Sequence, residues 1–212
     1  MRSLFLAAAF VLAIARPAGA GFPPVDPTNC EIPAHVNVVG SDGGSADPFG
    51  TFTVIIRDLT NAPVANSVVT ISFAGCPHIQ ICPTQLDPHI VAVNCAGKAV
   101  TGVTNALGVT TFTVIGASST APCYEPPPVS RAEVRADGNL IGNMTVSALD
   151  LNAVPGLDAS DLAAWLSAFF CGGTQRLDYD GDGSASATDL SLWLGAFFHA
   201  RSTAGCSVAP CP

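Results

Sequence analysis

The chain repeats itself near its C-terminus, and the repeat limits what that end can fold into. DLAAWLSAFF (161–170) and DLSLWLGAFF (189–198) are two copies of one unit, set 28 residues apart. In each copy the apolar residues fall at i, i+3, i+4 and i+7. They are Leu162, Trp165, Leu166 and Phe169, then Leu190, Trp193, Leu194 and Phe197. That spacing lines one face of a helix, and Phe170 and Phe198 widen it. Two helices of about ten residues cannot hold a fold alone. Something else must brace them.

An acidic twelve-residue segment precedes each helix. The second, DYDGDGSASATD (178–189), has acids at its first, third, fifth and twelfth places and glycine at the sixth. That is the spacing of a calcium loop. Asp178, Asp180 and Asp182 supply hard oxygen donors, and Gly183 allows the sharp turn. Ser184 offers its backbone carbonyl, Ser186 holds a water, and Asp189 closes the loop. The first, DLNAVPGLDASD (150–161), keeps Asp150, Asn152, Asp158 and Asp161 at the first, third, ninth and twelfth places. Val154 replaces the fifth-place acid. Pro155 replaces the turn glycine, with Gly156 one step late. Either Asp158 and waters complete a weaker calcium site, or this copy is metal-free; the residues leave both open. Seven aspartates meet two arginines in the C-terminal third, and that imbalance also points to a cation, Ca2+.

Ordinary EF-hand loops end in Glu and follow a helix. Here both copies end in Asp, and a strand-like segment, NLIGNMTVSALD, runs directly into the first loop. Two such loop-helix units over some 60 residues resemble a type I dockerin. The resemblance implies a calcium-folded module, spanning 150–200, that plugs into a cohesin-like or other surface protein, often in polysaccharide-degrading complexes. It implies that the pairs before each closing Asp, Ala159-Ser160 and Ala187-Thr188, read the partner, and that near-symmetry permits two binding orientations. On this reading chelation melts 150–200 and spares what precedes it.

Residues 21–34 are proline-rich and read as extended. From 35 to 149 the signal is all strand. Phe52, Val54 and Ile56 alternate with threonines and Ile55, as do Val69, Ile71 and Phe73 with Thr70 and Ser72. Phe112 and Val114 alternate with Thr111 and Thr113, and Asp137-Gly138 marks a turn before Met144 and Val146. Period-two alternation between turn signals predicts half-buried antiparallel strands, and two such sheets pack as a sandwich. GTFTVIIRDLTNAPVANSVVTISF (50–73) and VTNALGVTTFTV (103–114) resemble bacterial Ig-like modules of the invasin/intimin type. The resemblance rests on Asp58, Pro63-Val64, and Thr104 through Gly108. The expected fold class is therefore an all-β Ig-like sandwich followed by a small α-helical dockerin-like module of two calcium loop-helix repeats. The insert CPHIQICPTQLDPHIVAVNC (76–95) departs from that family. Its Cys76, His78, Cys82, His89 and Cys95 match no closed zinc spacing, and disulfides are the plainer reading.

Residues 1–20 read as a signal peptide. Arg2 precedes the apolar run Leu4 to Ile14, and Ala18-Gly19-Ala20 supplies small residues for cleavage. The expected product is secreted or held at the cell surface, with no membrane insertion in its mature form. Losing Arg2 and Arg16 takes the formal charge from −8 to −10. That leaves no basic patch for nucleic acid. Eight cysteines in an exported chain favour disulfides. Five precede Asp150 and three follow it, so full pairing within one chain requires at least one bridge between the two regions. Cys171 and Cys206 each follow a helix and form a candidate pair; the tail is 201–212. No carboxylate pair or nucleophile-histidine motif suggests catalysis, and the expectation is a non-enzyme. A structural or adhesive surface protein, with the Ig-like region as spacer or binder, is the alternative. A carbohydrate-binding module is a further one, although no Trp and one Tyr, Tyr124, fall in the strand region.

Overall fold

The computed structural model describes residues 24–42, 45–118, 131–152, 154, 156–172, 175–199 and 211. The expected signal peptide, Cys123, Tyr124, Cys206 and all of the tail but Cys211 lie outside them. Among the described residues twelve strands come first: β1 (His35–Val38), β2 (Ser41–Asp42), β3 (Ser45–Ala46), β4 (Thr51–Ile55), β5 (Val68–Ser72), β6 (Ile79–Ile81), β7 (Ile90–Asn94), β8 (Ala99–Val103), β9 (Val109–Thr113), β10 (Gly116–Ser118), β11 (Arg131–Ala136) and β12 (Asn139–Ala148). Two helices follow, α1 (Ala159–Phe170) and α2 (Ala187–His199). No described helix is long and apolar enough to cross a membrane.

The strands form as their alternation predicts. Val54, Ile56, Val69, Ile71, Phe73, Phe112, Val114, Val134, Met144 and Val146 are all buried in one core. The turns follow from their chemistry. Asp137 and Gly138 both take positive φ between β11 and β12, the geometry of a tight hairpin. Thr104 Oγ1 donates to the Val64 carbonyl (2.7 Å) and accepts from Ser67 N (2.9 Å), pinning the loop before β9. Gly108 has φ +71°, and a Cβ there would meet Ile56 O at 2.4 Å. Only glycine fits that close crossing.

The arrangement of the strands corrects the expected fold class. An Ig-like sandwich followed by dockerin-type helical repeats is not what forms; the molecule is a curled half-barrel of β-sheet with two helices at its C-terminal end. The main sheet has six strands in the order β1-β12-β11-β5-β8-β7, and three two-stranded ribbons, β10-β6, β2-β3 and β4-β9, complete it. Stacked sheets touch only through side chains. Here the main chain crosses between the layers. β1 pairs in parallel with the end of β12, from His35↔Thr145 to Val38↔Ala148. One residue on, Val39 N donates to Val114 O (3.0 Å) and Gly116 N donates to Val39 O (3.0 Å). That seam ties the six-stranded sheet to the β9–β10 segment and curls it. A bulge between Val134 and Arg135 adds local twist to the sheet.

The helices pack in a second hydrophobic cluster, distinct from the strand core. Trp165, Ala168, Trp193 and Ala196 share a buried cluster with Leu149 and Leu151, which follow β12, with Leu177 and Tyr179, and with Val39 of the seam. Each tryptophan stacks on the phenylalanine four residues later, Trp165 on Phe169 (5.1 Å) and Trp193 on Phe197 (5.3 Å). Both tryptophans are core residues, as the helical stripe predicts.

Cys95, after β7, is bonded to Cys211 across 116 residues. This is a bridge of the kind the cysteine count requires, joining the strand region to the C-terminal tail. Cys82 and Cys171 are disulfide-bonded as well. The proposed partner of Cys171, Cys206, lies outside the described residues. With Cys82 and Cys95 oxidised, the insert lacks two of the thiolates that zinc would need. His89 instead pairs through Nδ1 with Asp87 Oδ1 at 2.8 Å. Cys211 sits in the main core, and its N–H donates to Ile81 O (2.8 Å). The double variant Cys95→Ala/Cys211→Ala should therefore lose about 2–5 kcal/mol of stability, read as a lower denaturation midpoint at unchanged secondary structure.

Candidate metal centre

The repeat seen in the sequence is repeated in the hydrogen bonds. In the second copy Asp189 is fully buried. Its Oδ1 accepts from Tyr179 N (2.7 Å) and Asp180 N (3.3 Å), and its Oδ2 accepts from Ser186 N (2.8 Å) and Ser186 Oγ (3.0 Å). In the first copy Asp161, equally buried, accepts from Leu151 N (2.8 Å) on Oδ1 and from Asp158 N (2.9 Å) on Oδ2. Leu151 and Tyr179, and Asp158 and Ser186, are 28 residues apart, like the closing aspartates. The twelfth residue thus clamps each loop to the first turn of its helix. Asp158 caps α1 in a capping box with Asp161. Ser186 Oγ accepts from Thr188 N (3.1 Å) at the start of α2.

The rest of the second loop is built around Asp178. Its Oδ1 accepts from Gly181 N (2.8 Å) and its Oδ2 from Gly183 N (3.0 Å). Gly181 and Gly183 have φ of +76° and +92°, and a Cβ on Gly181 would meet His35 Cβ at 2.6 Å. The loop therefore rests directly on β1. His35 bridges Thr145 Oγ1 (2.9 Å) and Asn37 Oδ1 (3.1 Å), and Asn37 Nδ2 donates to Tyr179 O (3.0 Å) in the loop. Ser147 Oγ of β12 donates to Asp178 O (2.9 Å).

This folding gathers three carboxylates. Asp178, Asp180 and Asp182 each offer an oxygen, all within 4.8 Å of one another. Among the described residues no other set of three acidic, histidine or cysteine side chains meets so closely. Asp178 is buried, while Asp180 and Asp182 face solvent. Burial pushes the Asp178 carboxyl above the usual carboxylate range, against the pull of the Gly183 and Gly181 amides. The Ser184 hydroxyl and amide hold Asp182 below it. A hard cation with oxygen ligands suits such a set. Asp189 stands outside the cluster, its oxygens taken up by four donors. Ser184 and Ser186 spend their N–H and hydroxyl groups on Asp182 and Asp189.

The first loop keeps the clamp and spends its other ligands on the protein. Asn152 Oδ1 accepts from Val154 N (2.7 Å), and Asn152 Nδ2 donates to Ser160 Oγ. Asp158 takes Ser160 N (2.6 Å) and the Ser160 hydroxyl, which lower its carboxyl. Asp150 is buried and accepts from Asn152 N (3.3 Å). Burial raises the Asp161 carboxyl, partly offset by its backbone donors. Asp150, Asn152, Asp158 and Asp161 thus do not converge as Asp178, Asp180 and Asp182 do. Ala159, Ser160, Ala187 and Thr188 are exposed on the first turns of the two helices.

Sequence reasoning missed Arg176. It is buried, and its Nη2 donates to Ser118 Oγ and to Leu151 O (3.2 Å) in the first loop. A cation two residues before an acidic loop, in a chain poor in cations, was the available signal.

No protein-family model matches the chain, and a search of curated proteins finds no match. The clamp and the cluster should separate on mutation. In chelator, Asp189→Ala or Asp161→Ala strands buried N–H donors and should cost about 3 kcal/mol or more, while exposed Asp182→Ala should cost less than about 1 kcal/mol. Urea unfolding of the three variants measures this.

Proposed function

We propose that this chain is an exported, non-catalytic protein that uses calcium to stiffen its C-terminal end for attachment to a partner surface, of the cohesin type in the dockerin resemblance. The observation that carries the reading is the convergence of Asp178, Asp180 and Asp182 on a loop whose turn is set by two positive-φ glycines. These three side chains would hold the ion, and the ion would cancel their mutual repulsion.

Docking is supported by the character of the helices. Apart from the two buried clamps, no residue between Ala159 and Phe170 or between Ala187 and Phe198 carries a charge. Phe170 is 81% exposed and Phe198 61%, with Leu166 and Phe169 partly open beside them. An uncharged surface of Ala, Ser, Thr, Leu and Phe is unusual for solvent and suits a protein interface.

The bonds between the helical cluster and the ends of the strands alter the expected response to chelation. Because Trp193 Nε1 donates to Leu149 O (3.0 Å) and Tyr179 lies in the same cluster as Val39, the helices should not melt apart from the strands. Calcium at saturation should raise the midpoint of a single cooperative transition, by about 2.7 kcal/mol at one hundred times Kd. Calorimetry with calcium and with chelator tests this, and an unchanged midpoint counts against a calcium site. Immobilised protein that captures cohesin-bearing surface proteins in calcium but not in chelator would support the attachment role.

A further inference from the structure

The second loop is held from outside as well as from within. Two peptides, 178–179 and 179–180, join Asp178 to Asp180, and each is hydrogen-bonded at both ends. On the N–H side, Tyr179 N (2.7 Å) and Asp180 N (3.3 Å) donate to Asp189 Oδ1 of the loop itself. On the carbonyl side the partners belong to the sheet. Ser147 Oγ of β12 donates to Asp178 O (2.9 Å), and Asn37 Nδ2 of β1 donates to Tyr179 O (3.0 Å). Asp178, Tyr179 and Ser147 are buried, which makes the loss of either donor costly.

Asn37 is itself fixed. A backbone carbonyl can only accept, so the amide NH2 must face Tyr179 O, and Asn37 Oδ1 then accepts from His35 Nε2 (3.1 Å). The other imidazole nitrogen, Nδ1, meets Thr145 Oγ1 of β12 (2.9 Å). The first loop has the same two carbonyls engaged. Asp150 O accepts from Ser118 N (2.8 Å) and Leu151 O from Arg176 Nη2 (3.2 Å). Holding these carbonyls is thus common to both copies, and in the second copy the held peptides carry two of the three clustered carboxylates.

We infer that Asn37 and Ser147 are positioning residues for the ion: by fixing the two peptides between Asp178 and Asp180, they set the calcium affinity of the loop from the sheet. The inference rests on the calcium reading of the second loop. Neither side chain is a ligand. Carboxylates crowded without an ion repel one another, and a loop free to relax must be reordered when the ion enters. A loop pinned to β1 and β12 keeps Asp178 and Asp180 gathered beforehand and avoids that cost. Hydrogen bonds that orient a ligand without touching the metal are commonly worth about 10–100-fold in affinity.

Titration calorimetry with calcium on the full chain is the test, on variants confirmed as folded by circular dichroism. Asn37→Leu and Ser147→Ala remove the two donors and leave every carboxylate in place. Each should raise the calcium Kd by about 10–100-fold. Ser147→Ala deletes a single oxygen and carries the test should Asn37→Leu fail to fold. Val69 lies in the strand core, paired with Gly102 and Ala136. Val69→Ala should lower the unfolding midpoint through its cavity and leave Kd unchanged, because weakening the fold does not alter the affinity of chains that stay folded. An unchanged Kd in both donor variants, or an equal rise in Val69→Ala, would overturn the inference and leave the calcium reading standing. A parent chain that binds no calcium would defeat the calcium reading itself.

Discussion

Three consecutive peptides, Leu149 to Leu151, hold the molecule together where the strands end. Leu149 N donates to Val38 O (3.1 Å) and extends the β1–β12 pairing, while Leu149 O accepts from Trp193 Nε1 of α2. The Asp150 carbonyl accepts from Ser118 N of β10. Leu151 N donates to the Asp161 clamp and its carbonyl accepts from Arg176. Within three residues the main chain thus bonds β1, β10, both helices and the segment leading into the second loop. Buried polar groups of this kind cost little when satisfied and a great deal when broken. The segment lies at the boundary between the two sequence regions and is hydrogen-bonded to both.

The closing aspartates show how an acidic loop can be shaped by hydrogen bonds to its own backbone. Asp161 and Asp189 use their carboxylates on backbone N–H donors, so the turn into each helix is set by hydrogen bonds. The other polar side chains lie at the front of the loop. In the second copy they are three carboxylates crowded together, two of them in solvent. In the first, Val154 stands where the third acid would be, and the remaining groups have turned to Ser160 and to local amides.

Much of this could be read from residue spacing. The strand periodicity places Val69, Ile71 and Phe73 inside, the Asp137-Gly138 pair makes its hairpin, and the i, i+3, i+4, i+7 stripe buries Trp165 and Trp193. Local rules cover such features because each depends on a few neighbouring residues. The closure of the sheet was not legible. It rests on a four-residue parallel strand and on Val39, whose amide and carbonyl find partners some 75 residues away. Main-chain hydrogen bonding carries no side-chain signature, and alternation fits a sandwich and a curled sheet equally well. Within the loops, spacing gave the acids but not their tasks. A fully buried Asp189 with four donors and a Asp180 open to solvent look alike in a motif.

The asymmetry of the duplication follows from this division of tasks. Both copies must keep the clamp, the helix and the tryptophan, because those residues bury the end of the sheet. The front of each loop differs between the copies: Asp178 holds the Gly181 and Gly183 amides, whereas Asn152 bonds Val154 N and Ser160. The exposed pair Ala187-Thr188 starts α2 directly after the loop of three clustered carboxylates, whereas Ala159-Ser160 follows the loop whose Leu151 carbonyl Arg176 contacts.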